Sequence, residues 1–153
     1  MRVVRVVLLS VVGLLAAWSG VEADVGLESH APIVILSDAD FTVDSGVRSG
    51  AGTVDDPYII SGWRIDAEQG NPCIRVENVN GAFRIVDCAL VGANEYAARL
   101  VDVAHAELVG SCISSSLFGV LCESCRQCHV RDCSFDEIGW GALVLVGSSG
   151  CRV

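Results

Sequence analysis

Four residues stand at ligand spacing in the sequence Cys122-x-x-Cys125-x-x-Cys128-His129, with Cys133 close behind. Thiolates and an imidazole so placed can hold zinc, copper(I) or an iron–sulfur cluster. A second set is carboxylate. Asn78, Asp102 and Glu123 fall in one column when segments 24 and 21 residues apart are written against each other. Carboxyls on neighbouring strands would lie about 5 Å apart, close to the ~5–5.5 Å of a retaining glycosidase pair. Their proximity would raise one pKa, as a general acid requires. A third set, Arg75, Glu77, Arg99 and Asp102, offers donors and acceptors to a polysaccharide, with Trp63 or Trp140 to stack on a sugar ring. Each set also has a plainer reading. Cysteines pack as small hydrophobes, acidic residues at turn corners cap backbone amides, and tryptophans fill cores.

What must position these residues is a repeat. Ile85-Val86-Asp87-Cys88, Val109-Gly110-Ser111-Cys112 and Val130-Arg131-Asp132-Cys133 each carry a cysteine three residues after a β-branched one. The alignment sets Arg75 on Arg99, Val76 on Leu100, Asn78 on Asp102, Val79 on Val103, Ile85 on Val109 and Cys88 on Cys112. It continues with Leu100 on Leu121, Asp102 on Glu123, Val109 on Val130 and Cys112 on Cys133, then Cys128 on Cys151. Such a period marks stacked coils that cannot bury their apolar faces singly. Within each coil apolar residues alternate, as at Ile74 and Val76, Phe83 and Ile85, Leu143 and Leu145, which is strand periodicity. Glycines recur where short strands turn. The expected fold is all-β, a right-handed parallel β-helix of about three to four coils. Leucine is too sparse for a leucine-rich horseshoe. Stacked cysteines about 4.8 Å apart suit an inward thiol ladder, while eight cysteines in an exported chain also suit disulfides.

The stretch Gly50-Ala51-Gly52-Thr53-Val54-Asp55-Asp56-Pro57-Tyr58-Ile59-Ile60-Ser61-Gly62-Trp63-Arg64-Ile65 resembles exported β-helix proteins of the NosD-like kind. It is also similar to the β-helix modules of the pectate-lyase-like superfamily. The resemblance runs from about Ala31 to Val153. It implies that this phrase builds an N-terminal cap and first coil. It further implies either carbohydrate binding, or polysaccharide lyase or hydrolase activity with calcium, or a part in copper-site maturation. Members usually continue for many more coils. This chain stops in a predicted strand, as a fragment, a truncated product or a protomer that covers its open coil by self-association would.

Residues 1–23 have the layout of a cleavable signal peptide: Arg2 and Arg5, an apolar run from Val6 to Trp18, and small residues at Val21-Glu22-Ala23. The mature chain is expected from Asp24, with residues 24–71 forming the cap and first coil and residues 72–153 the repeats. No membrane span remains after cleavage. The formal charge is −9 and there is no lysine, which argues against nucleic acid and anionic lipid as partners. The expectation is a secreted, periplasmic or surface module, structural or carbohydrate-binding, non-catalytic and folding without a cofactor. Polysaccharide and other envelope proteins are its expected partners. The alternatives are catalysis through Asp102 and Glu123, and copper held by Cys122, Cys125, Cys128 and His129.

Overall fold

The computed structural model describes residues 5–7, 26–67 and 71–153. The expected leader lies outside the described residues except for Arg5–Val7, a short strand (β1). The chain continues through β2 (Glu28–His30), β3 (Ile33–Ile35), a 3-10 turn at Asp38–Asp40, β4 (Val47–Ser49), β5 (Tyr58–Ser61) and β6 (Trp63–Asp66). Three full coils follow: β7 (Ile74–Val79), β8 (Phe83–Val86) and β9 (Ala89–Val91); β10 (Tyr96–Val103), β11 (Ala106–Val109) and β12 (Cys112–Ser114); β13 (Phe118–Glu123), β14 (Cys128–Arg131) and β15 (Ser134–Asp136). The last strand is β16 (Gly141–Val146).

Corresponding strands of successive coils pair in register, giving three sheets. Their orders are β1-β16-β13-β10-β7-β3, β14-β11-β8-β5-β4 and β15-β12-β9-β6-β2. All pairings are parallel except β1 with β16 and β4 with β5. The chain is thus a parallel β-solenoid, as the repeat predicts. Alternation along each strand sends one set of side chains inward. Ile33, Ile35, Ile60, Ile65, Ile74, Val76, Phe83, Ile85 and Leu90 fill the lower coils almost without exposure. Among the described residues no helix is long and apolar enough to cross a membrane.

The observed register corrects the sequence alignment. Arg75 does lie opposite Arg99, and Val79 opposite Val103. Beyond the next corner the interval shortens by one, so Ile85 pairs with Leu108, not Val109, and Cys112 pairs with Ala89, not Cys88. In the following coil Arg99 pairs with Leu121, and Leu100 with Cys122. Leu108 pairs with Val130, and Cys112 with Ser134. The single column of Cys88, Cys112 and Cys133 therefore does not exist. The column is Cys88–Ser111–Cys133, while Cys112 sits one place along and is half-buried.

The reason lies at the corners. Residues at Asn78, Asp102, Ser124 and Gly147 turn the chain with φ of 56°, 50°, 55° and 59°. Asp87, Gly110 and Asp132 do the same at the next corner, at 50°, 60° and 54°. This left-handed region suits glycine and is reached at least cost otherwise by short polar side chains. The next residue points inward: Val79, Val103, Cys125 or Ser148 at the first corner, and a small cysteine or serine at the second. At the second corner Cys88 donates its thiol to the Val86 carbonyl at 3.4 Å, Ser111 its hydroxyl to Val109 at 3.1 Å, and Cys133 its thiol to Arg131 at 3.3 Å. Each of these carbonyls already accepts an N–H from the coil below, so the side chain fills the second lone pair. Cysteine and serine are interchangeable here because both are small donors. A cysteine-only pattern misses the serine rung.

The phrase at residues 50–65 has a local explanation. A Cβ on Gly50 would overlap the Pro57 carbonyl, and one on Gly52 would overlap the Tyr58 ring. Both glycines also have positive φ. They let the loop close through Ala51 and Thr53 amides onto the Asp56 carbonyl, at 3.0 and 3.1 Å. The Gly52 carbonyl then accepts the Ala82 amide of the coil above at 2.8 Å, and Tyr58 stacks on Phe41 with centroids 4.4 Å apart.

Candidate functional site

Three of the four expected binding residues meet on the outer face of the first sheet. Glu77 accepts from Arg75 Nε and Nη2 at 2.8 and 2.9 Å and pairs with Arg99 of the next coil. The Glu77 side chain is 12 % exposed, against 41 % and 30 % for the two arginines. Both its oxygens are thereby engaged, while Glu123, which pairs with Val101 as Glu77 does, adds a half-buried carboxylate to the same face. Asp102 stands apart from them, exposed, at a left-handed corner. Its equivalent in the next coil is Ser124, because Glu123 pairs with Val101. Asp102 and Glu123 thus share no column, and the carboxylate ladder expected there is replaced by Asn78, Asp102, Ser124 and Gly147.

Another candidate site lies on the second sheet, and of its lining only His129 was singled out from the sequence. A groove of about 210 Å³ runs over β8, β11 and the start of β14. Arg84, His105, Glu107, Gln127 and His129 line it with polar groups, and Val54 and Pro57 give it apolar walls. The strands fix this arrangement directly. Arg84, Glu107 and His129 are paired residues of β8, β11 and β14, so they stack as one outward column. His105 and Gln127 precede β11 and β14 at the adjacent position. Glu107 anchors the groove, pairing with Arg84 at 2.7 Å and with Arg131 at 2.6 Å, and its side chain is 16 % exposed. The Glu107 carboxylate beside it holds the Arg131 guanidinium above its ordinary pKa. The His105 and His129 imidazoles and the Gln127 amide add donors and acceptors to the lining. The signal was one polar outward residue per coil. It becomes readable once the interval drops by one at the corner, and the alignment used above hides it.

The cysteines of the ligand-spaced motif come together, but their histidine does not. Cys122 ends the inward column of β13, Cys125 follows the corner at Ser124, and Cys128 opens β14. All three are buried, and neighbouring thiols perturb one another's titration. His129 follows on the outward face of β14 and belongs to the groove. Among the described residues no group of three or more His, Cys, Asp and Glu is arranged to hold a metal ion. The Cys122 thiol is held far above its usual range by its hydrogen bonds to Cys125 and Cys128, and by burial. Cys125 moves the opposite way, because Cys122 and Cys128 both donate to its thiolate. In its neutral state it donates to the Leu100 and Glu123 carbonyls, each at 3.3 Å. All eight cysteines are unbridged.

The two tryptophans proposed for sugar stacking differ. Trp63 donates its Nε1–H to the Gly46 carbonyl at 2.8 Å, carries the Arg48 guanidinium 3.6 Å over its ring and touches His30. Its faces are taken. Trp140 is 71 % exposed and borders a broad concavity with Phe135 and Ile138 beside β15. Comparison with family models, with curated proteins and with solved structures gave no match.

Proposed function

We propose that this protein is an exported β-solenoid module that binds polysaccharide at the cell envelope or outside the cell without transforming it. The affiliation we favour is with the NosD-like and pectate-lyase-like helices, on the strength of the phrase at residues 50–65. The observation that carries the binding reading is the groove over the second sheet, where His105, Gln127 and His129 present donors and acceptors from successive coils. A solenoid offers the same kind of contact once per coil, and such surfaces suit extended ligands. A polymer of like sugar units presents hydroxyls with a matching regularity. The apolar walls at Val54 and Pro57 give sugar C–H faces something to lie on.

The test is affinity electrophoresis or array binding against neutral and acidic polysaccharides, followed by titration on the best one. The double variant His105→Ala, His129→Ala should bind at least about tenfold more weakly, a loss of about 1.4 kcal/mol. Arg75→Ala on the first sheet should leave binding unchanged. Equal binding by the double variant, or no retention on any polymer, would remove the groove as the site. Release of soluble sugar from the bound polymer would replace a binding module with an enzyme.

A further inference from the structure

We infer that the outer edge of β16 is an association surface for a second copy of this chain, joined strand to strand about a two-fold axis. Within a single molecule β1 fills this seat. The inference is independent of polysaccharide binding, since the groove lies over the second sheet and β16 belongs to the first. β16 lies between β13 and β1. The Val146 carbonyl accepts the Ser124 amide at 2.8 Å, so Val146, Val144 and Ala142 turn their backbone groups toward β13. Leu143 and Leu145 turn theirs the other way. There β1 runs antiparallel, with Arg5 opposite Leu145, Val6 opposite Val144 and Val7 opposite Leu143. The edge is thus built to take an antiparallel strand.

A strand paired antiparallel with its own copy is related to it by a two-fold axis, and such an assembly closes at two. Leu143 and Leu145 are the edge-facing residues. The register that matches the β1 seat therefore sets Val144 against its own copy, and Leu143 against Leu145 of the copy. Leu-Val-Leu then stands where Arg-Val-Val stands in the single molecule.

Composition favours a second copy as the occupant. The chain carries a net charge of −9, and two such chains repel each other over most of their surface. From Ile138 to Cys151 no residue is charged, so two copies meet here without that penalty. Native sheet edges are blunted by shortness or by charge. The edge strands β2, β3, β4 and β15 have three residues each, whereas β16 has six, Gly-Ala-Leu-Val-Leu-Val, with neither guard. β1 covers half of it. With β1 in place, Trp140 directly before β16 is still 71 % exposed. It borders, with Phe135, Ile138 and Ala142, a concavity of about 970 Å³. A second copy, continuing past the strand, would bury this apolar surface. Loss of the expected leader would vacate the seat altogether.

The experiment uses the full chain and sedimentation velocity over a range of concentrations. Arg5→Pro with Val7→Pro removes the two amides that β1 offers to Leu145 and Leu143. This variant should dimerise with an apparent Kd at least about tenfold below that of the parent. Adding Val144→Lys places like charges directly opposite each other at the axis and should return the protein to monomer. Val101→Lys, on the outward face of β10 between two paired strands, should leave the dimer intact. Hydrogen exchange gives a second reading that needs no lysine variant. In the proline variant the Leu143 and Leu145 amides should be protected at high concentration and exchange freely on dilution. The inference is overturned if the proline variant associates no more than the parent, or if those two amides exchange alike at both concentrations. A dimer that survives Val144→Lys, or growth beyond two copies, overturns it as well.

Discussion

The lower and upper coils share one backbone path and are filled by different means. Beneath β10 the interior is isoleucine and phenylalanine: Ile33, Ile35, Ile60, Ile65, Ile74, Phe83 and Ile85 are all essentially inaccessible. From β10 upward Leu100, Leu108, Ile113, Val120, Val130 and Leu143 share the interior with Ala97, Ala98, Cys122, Cys125 and Cys128, and Ser116 and Ser148 stand at the corners. Isoleucine and phenylalanine volume dominates the first region. The second adds small thiols and hydroxyls bonded to corner carbonyls. The difference teaches where each kind of change is tolerated: the isoleucine and phenylalanine positions need size and shape, and the corner positions need a small donor.

Truncation should separate the two regions most sharply. Phe83→Ala removes a ring that packs on Phe41 at 5.5 Å in the interior and should cost about 3–5 kcal/mol. Cys133→Ser in the uppermost full coil keeps the donor to the Arg131 carbonyl and should cost under about 1 kcal/mol, as the native serine at position 111 of the same column suggests. Urea denaturation of both variants checks this. Equal losses would mean that the corners depend on sulfur volume and not on the hydrogen bond.

Alkali should act next most strongly, through the thiols. Burial pushes the Cys73 thiol from 9.0 up to about 11. Burial likewise raises Cys88 and Cys133. Between these limits the unfolded chain has lost the Cys73 proton and the folded chain retains it. Stability therefore falls as pH rises. The contribution of Cys73 is fully present below pH 9.0 and is lost as pH rises through about 11, which amounts to about 2–3 kcal/mol. Cys73→Ser should flatten that part of the curve. Midpoints of urea unfolding from pH 8 to pH 11 measure it, and identical slopes for both proteins would assign the alkaline loss elsewhere.

The solenoid itself was legible, because strand alternation and a two-dozen-residue repeat both reflect the inward column and survive small errors of alignment. The site was not, because a binding column demands the register to a single residue. Each corner absorbs or releases one residue without disturbing the inward pattern, so Ile85 can be set against Val109 or Leu108 with equal apolar sense. Only the outward residues distinguish the two, and they carry no apolar signal. The carboxylate column of Asp102 and Glu123 came from that slip, and the column of Arg84, Glu107 and His129 was hidden by it. The pair of Arg75 and Arg99 was found because the interval of 24 taken from Cys88 and Cys112 coincides with the true one for β7 and β10. The convergence of Cys122, Cys125 and Cys128 needed the left-handed corners at Ser124 and Gln127, which no alternation rule anticipates.

The smallest effect distinguishes the two outer faces. On the first sheet Glu77 sits between Arg75 and Arg99, whose side chains are 41 % and 30 % exposed. Water already screens such pairs, so Glu77→Gln should cost under about 1 kcal/mol and the cost should shrink as salt is added. On the second sheet Glu107 has the same two-arginine pairing, through Arg84 and Arg131, but it also shapes the groove. Glu107→Gln should therefore weaken polysaccharide binding by a larger factor than Glu77→Gln, while the two variants unfold at similar urea concentrations. Paired titrations and denaturation curves read both quantities from the same preparations. If both variants bind as the parent does, the Glu107 pairing is a stability device on either face, and the groove's selectivity rests on His105, Gln127 and His129 alone.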